Sequence, residues 1–186
     1  MRLENSFDVQ APVETAWTLL NDVPRIVPCM PGAELSEVVD EHTWKALLKV
    51  KLGPIALQFG ADVKREEVDE ADHRVVLAAK ARELKGRGGA QARIESSMAP
   101  GAGGTHVSIA TDLTLQGAVA QYGRGVVADV AAQLTQRFAD CIAKQLGEES
   151  APGQPAAPVS EGAHPVGGIR LVLRAVWRSA LRFFRR

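Results

Sequence analysis

The first nine residues alternate. Leu3, Phe7 and Val9 share one face, with Asn5 in step between them, and a period of two predicts a strand buried on one side. Ala11-Pro12 then starts a short helix with proline in its first turn, and Val13, Ala16, Trp17 and Leu20 give it an apolar stripe. Between Asp22 and Gly32 the prolines are too frequent for a long helix. A helical turn followed by the loop Pro28-Cys29-Met30-Pro31-Gly32 is expected there. Strand-like runs follow at Ala33–Val39, Thr43–Leu52, Ile55–Glu66, Arg74–Glu83, Gly89–Met98 and Thr105–Gln116. They are broken by Asp40-Glu41, Gly53-Pro54, the acidic stretch to Asp72, Lys85–Gly88 and Pro100–Gly104. Six consecutive strands joined by hairpins make an antiparallel, strongly curved sheet, and the first strand completes it as a seventh.

After Gly117 the period changes. Val119, Tyr122, Val126, Val130, Leu134, Phe138 and Cys141 or Ile142 recur every three or four residues, predicting one long helix over Ala118–Leu146. Gly123 and Gly125 weaken its first turns; they suit a close backbone approach or an end that flexes. The fold class is therefore α+β, a curved sheet wrapped around a long C-terminal helix. The inward positions of that helix are small or medium, and aromatic residues make up only 5% of the chain, few to plug a large concavity. Two readings stay open, an apolar cavity or a closely packed core. If there is a cavity, Tyr122 is expected at its mouth and Val126 and Val130 deeper, with Met30, Trp44, Leu57 and Phe59 facing them.

Beyond the helix the pattern changes twice. Residues 147–168, GEESAPGQPAAPVSEGAHPVGG, offer almost nothing to bury and read as a disordered linker. Residues 169–186 carry Arg170, Arg174, Arg178, Arg182, Arg185 and Arg186 and no acid. On a helix all six fall within an arc of about 160°, opposite a face that includes Trp177, Phe183 and Phe184. A helix lying in the interface of an anionic membrane has this composition. Docking of the apolar face on the body, or a basic arm for nucleic acid, are the competing readings. The expected division is a ligand-binding domain at 1–146 on the cavity reading, the linker, and at 169–186 an amphipathic helix that is membrane-anchoring on the first reading.

Charge sharpens the contrast. The chain has 22 basic and 22 acidic residues, so removing the tail's six arginines leaves 16 against 22. An acidic body disfavours nucleic acid and concentrates any attraction to an anionic leaflet in the tail. No apolar leader opens the sequence, so the protein is expected on the cytoplasmic face of the cell membrane, held peripherally by its tail. Cys29 and Cys141 stand far apart with no metal spacing and read as reduced core thiols, with Cys29 a candidate pocket residue. The four histidines lack partners at ligand spacing, so neither a metal site nor a catalytic residue is expected. Of the acids, Asp62 and Asp112 are mid-strand with undecided facing. GRGGA at Gly86–Ala90 lacks the lysine and hydroxyl of a phosphate loop and reads as a strand turn.

Several motifs together resemble the family of carbon monoxide dehydrogenase G-subunits: AP-x4-W-x2-L-x-D at Ala11–Asp22, C-x-PG at Cys29–Gly32, KLGPI at Lys51–Ile55 with Phe59 behind it, and G-x2-A-x-Y-G-x3-V at Gly117–Val127. The resemblance covers residues 1–146 and implies the helix-grip fold of the polyketide-cyclase/START-like superfamily. It also implies an accessory protein of a molybdenum-containing carbon monoxide dehydrogenase or related hydroxylase, a hydrophobic cavity, and binding of a respiratory quinone such as menaquinone, with no covalent cofactor. Family motif residues such as Pro12, Trp17, Pro31 and Gly32 are read as architectural.

Three functions follow. The first is a membrane-tethered carrier of an isoprenoid quinone or other apolar lipid, coupling the dehydrogenase to the respiratory chain. The second is a non-catalytic recruitment or assembly factor. The third, a cyclase or hydrolase acting inside the cup, is least supported, because the acids cluster in turns and on the outer helix face rather than in a pocket.

Overall fold

The computed structural model describes residues 1–52 and 55–150. The elements run β1 (Arg2–Val9), α1 (Val13–Asn21), α2 (Val23–Ile26), a 3-10 turn at Val27–Cys29, β2 (Ala33–Asp40), β3 (Thr43–Leu52), β4 (Ile55–Asp69), β5 (Arg74–Glu83), β6 (Gly88–Gly101), β7 (Gly104–Gly117), a second 3-10 turn at Ala118–Gln121, and α3 (Arg124–Ser150). All seven strands form one antiparallel sheet in the order β1-β7-β6-β5-β4-β3-β2. Each strand from β2 to β7 pairs with its sequence neighbour, and β1 closes onto β7, with Phe7 opposite Val107 and Val9 opposite Thr105. This is the curved antiparallel sheet with a C-terminal helix expected from the strand and helix periods, in the helix-grip arrangement that the family resemblance implies.

Several boundaries differ from expectation, those of β4 and α3 most. β4 runs through the acidic stretch to Asp69, with a bulge between Arg65 and Glu67. Cations on the neighbouring strands meet those acids: Arg74 pairs with Glu67 at 3.0 Å and Glu95 at 2.8 Å, and Arg93 pairs with Glu67 at 3.0 Å. The helix expected from Ala118 starts at Arg124 instead, after the 3-10 turn and an extended Tyr122. It continues to Ser150, past the expected end at Leu146. Neither Gly123 nor Gly125 has any atom near the place a side chain would fill, so no close backbone approach explains them.

Burial splits α3 into two halves. Its second half sends Phe138, Ala139, Ile142 and Leu146 into a core shared with Phe7, Val9, Ala16, Leu19, Met98 and Val107. Phe7 and Phe138 meet edge to face at 6.0 Å, a favoured aromatic geometry. The buried Thr105 hydroxyl donates to the Ala11 carbonyl at 2.7 Å and holds the corner between β1 and α1. The first half of α3 stands over a smaller cluster of Leu57, Phe59 and Val119, flanked by Leu48, Val50, Ala81, Leu115, Tyr122 and Val130.

Cys29 and Cys141 are not free thiols. They form a disulfide with Cα atoms 5.3 Å apart, because the 3-10 turn sits directly against the second half of α3. Among the described residues no helix is long and apolar enough to cross a membrane. The linker beyond Ser150 and the arginine tail, with Arg170, Arg174, Trp177, Arg178, Arg182, Phe183 and Phe184, lie outside the described residues, as does Gly53-Pro54.

Candidate functional site: a cavity beneath the long helix

The site begins with a mismatch of side-chain size. Over β3, β4 and the end of β5, α3 presents Val130 and Leu134 rather than the phenylalanine and isoleucine of its second half. The sheet curves away beneath them, and a cavity of about 760 Å3 remains. That lies within the roughly 300–1,000 Å3 range of small-ligand sites. Its floor is Val50, Ala56, Leu57, Val130 and Leu134, with Gln58 and Gln133 as neutral hydrogen-bonding groups. Lys49, Lys51, Lys85 and Arg137 stand around its edge, and Pro31 and Gly32 close one side.

That side is held in three ways. Gly32 has φ +79°, a left-handed conformation, and a Cβ there would stand 2.3 Å from the Lys49 carbonyl oxygen. The Lys49 amide donates to the Gly32 carbonyl at 2.8 Å, so the Pro31-Gly32 turn is laced to β3. The disulfide then ties the preceding turn to α3, and the Gln145 side-chain amide reaches the Cys29 sulfur at 3.3 Å. The opposite side is the β5–β6 turn, where the Leu84 amide donates to the Gln58 carbonyl at 2.8 Å.

One carboxylate lines the cavity among the described residues. Glu83 is only 5% exposed and accepts from the amides of Lys85 at 2.8 Å and Arg87 at 3.1 Å. Burial pushes its pKa up, but the amide hydrogen bonds from Arg87 and Lys85, with the Arg87 charge, outweigh that and hold it below the usual value of 4.5. A carboxylate so occupied stabilises the turn and is a poor proton donor near neutral pH. Its role went unforeseen, since nothing in a strand-ending glutamate reveals which amides will turn toward it. Asp62 and Asp112 are both exposed, on the face of the sheet away from α3.

The expected cavity residues divide. Leu57 and Val130 line the cavity. Phe59 and Tyr122 belong to the hydrophobic cluster adjoining it. Val126 does not: it is 43% exposed, and Val127 takes the inward position, because the later helix start sets a different rotation. Met30 packs into the other core beside Cys29. Trp44 is buried at the far end of β3, with the Arg65 guanidinium 5.1 Å above its ring. The rim cations and Glu83 are the residues that periodicity missed.

The family model CoxG, which describes carbon monoxide dehydrogenase G-subunits, matches residues 6–147. No curated protein matches the chain in sequence. Among solved structures, a conserved protein from Geobacillus kaustophilus superposes with a TM-score of 0.71 at 20% identity, covering 80% of this chain and 97% of that one. The Zhui aromatase/cyclase from a Streptomyces species gives a TM-score of 0.59 at 12% identity, covering 82% and 96%. A START superfamily protein from Mycobacterium smegmatis gives 0.55 at 13%, covering 80% and 99%. At these identities the likeness is one of fold.

Proposed function

The chain belongs to the CoxG family of carbon monoxide dehydrogenase G-subunits, and from that premise we propose that it is a non-catalytic, membrane-tethered carrier of an isoprenoid quinone, menaquinone-like, serving a molybdenum-containing dehydrogenase. The observation that carries the reading is the cavity: an apolar floor large enough for a lipid segment, with polar donors beside it and around its edge. An isoprenoid chain fits the floor of Val50, Leu57, Val130 and Leu134. The donors able to meet a quinone carbonyl are Gln58 and Gln133 beside the floor and Lys51, Lys85 and Arg137 around the edge. The quinone supplies the redox chemistry; the protein's residues bind it, orient its head toward the mouth and keep its chain out of water.

The arginine tail supports the membrane part of the reading through its charge and its Trp177, Phe183 and Phe184 face. It holds the body at the cytoplasmic face of the membrane, and the partner is the dehydrogenase complex that the family name implies. An enzyme reading is less favoured, because the cavity's carboxylate is committed to the turn amides.

The test is electron transfer with an isolated partner dehydrogenase. Quinone-loaded protein should accept electrons, seen as loss of the oxidised-quinone absorbance, and empty protein should not. Deleting residues 169–186 should leave this reaction in solution but uncouple it from membrane respiration. Turnover of a substrate by this chain alone would contradict the reading.

A further inference from the structure

One end of the sheet exposes Val38, Val39 and Val68 among acids; at the other, the cations that line the cavity stand beside exposed apolar side chains. Three elements meet there: the end of β3 with Lys51, the start of β4 with Ile55, and the β5–β6 turn with Leu84 and Lys85. Leu84, which lines the cavity, is 56% exposed, and Ile55, next to the lining residue Ala56, is 37% exposed. Lys49 pairs with Glu34 at 2.6 Å. Lys51, Lys85 and Arg137 form no salt bridge among the described residues and line the same cavity as Leu84.

The opposite end of the same strands is acidic. Asp40 and Glu41 mark the β2–β3 hairpin, and Asp69, Glu70 and Asp72 the β4–β5 turn, all exposed. With about 3.3 Å per residue, the length of β5 puts the two ends roughly 30 Å apart. Residues 1–150 as a whole hold 16 basic against 21 acidic residues. The basic mouth is therefore a local concentration on an acidic body, and the body carries its charge as a dipole along the strands.

We propose that this mouth docks directly on an anionic lipid bilayer, with Leu84 and Ile55 entering the interface and Lys51, Lys85 and Arg137 meeting lipid phosphates. Exposed apolar tips among cations are the chemistry of an interfacial contact, and the charge dipole turns the mouth toward a negative surface. The consequence is a dry route: an apolar ligand passes between bilayer and cavity without crossing water. The docking rests on the described surface alone, while its use for lipid exchange rests on the carrier reading. The arginine tail can bring the body to the surface; the mouth fixes which way it faces.

The experiment places an environment-sensitive dye on the full-length protein, at L84C and separately at V68C near the acidic end. Each is mixed with phosphatidylcholine–phosphatidylglycerol vesicles and with pure phosphatidylcholine vesicles. The expected result is a blue shift and quenching by a lipid-borne quencher at position 84 with the anionic vesicles, and no change at position 68. The triple variant K51Q/K85Q/R137Q, checked for an unchanged melting temperature, should lose the shift at 84 and bind anionic vesicles at least about tenfold more weakly. L84S, which removes the apolar tip without touching the charges, should also weaken binding. A vesicle-bound protein whose position 84 stays in water would overturn the proposal, as would equal shifts at both positions. So would a dye at 84 that responds to an acidic soluble partner but not to vesicles. Extraction of a quinone from the purified protein decides the carrier reading separately from these outcomes.

Discussion

Cys29 and Cys141 are joined across 112 residues, and the bond links the turn before Pro31-Gly32, one wall of the cavity, to the second half of α3. A loop of that length is strongly constrained in the unfolded chain, and the loop-entropy argument assigns about 4–5 kcal/mol to such a bond. Urea unfolding with and without reductant should therefore give clearly separated midpoints, as should Cys141→Ser against the parent. Coincident midpoints would show that the bond does not form in solution.

Gly32→Ala places a Cβ against the Lys49 carbonyl at a backbone angle that side chains rarely adopt. The variant should lose roughly 1–3 kcal/mol of stability and, because Gly32 lines the cavity, bind ligand more weakly. Thermal melting of this variant beside Gly86→Ala is the check. Gly86 also has a positive φ but open space around it, so it reports backbone strain without the clash.

Val130→Trp tests whether the space beneath α3 is a void. Its side chain points into the cavity, so an indole fills existing room, and the fold should survive while ligand retention is lost. Overpacking a closed core costs about 1–3 kcal/mol. A marked drop in melting temperature, with no ligand found in the parent, would identify the space as ordinary core.

Glu83 has its folded-state pKa depressed, so it contributes stability that is fully present above its unfolded value and is lost as pH falls through the lower folded value. Acid unfolding should therefore steepen below about pH 4.5. Glu83→Gln should flatten that decline, leaving the part due to Asp40 and Glu95, whose pKa values are lowered in the same sense. Urea midpoints measured from about pH 3 to pH 7 give the comparison. An unchanged slope in the variant would remove Glu83 from the account.

Much of the fold is legible because a strand's side-chain period is two, and most hairpin breaks fall at or beside an Asp-Glu, Gly-Pro or Gly-Gly pair that punctuates that period. What escaped depends on distant neighbours. Whether Val126 or Val127 turns inward depends on where α3 begins, a matter of one residue and about 100°. Cys29 and Cys141 reveal nothing of their bond, because sequence spacing says nothing of two elements packed together. The rim cations come from β3, the β5–β6 turn and α3, and gather only because two hairpins end on the same side of the sheet. Leu57 and Val130 were legible as cavity residues because Leu57 keeps the two-residue period with Phe59, and Val130 the four-residue step to Leu134 and Phe138.

The central claim is that the cavity holds an apolar redox lipid. The measurement is native mass spectrometry of the full-length protein purified from membranes under mild conditions, followed by organic extraction and identification of the released molecule. The account predicts one isoprenoid quinone per protein, absent from the Val130→Trp variant prepared in parallel. A protein that is reproducibly empty after such a preparation, and that takes up no quinone when one is supplied, would contradict the account and leave recruitment of the dehydrogenase as its function.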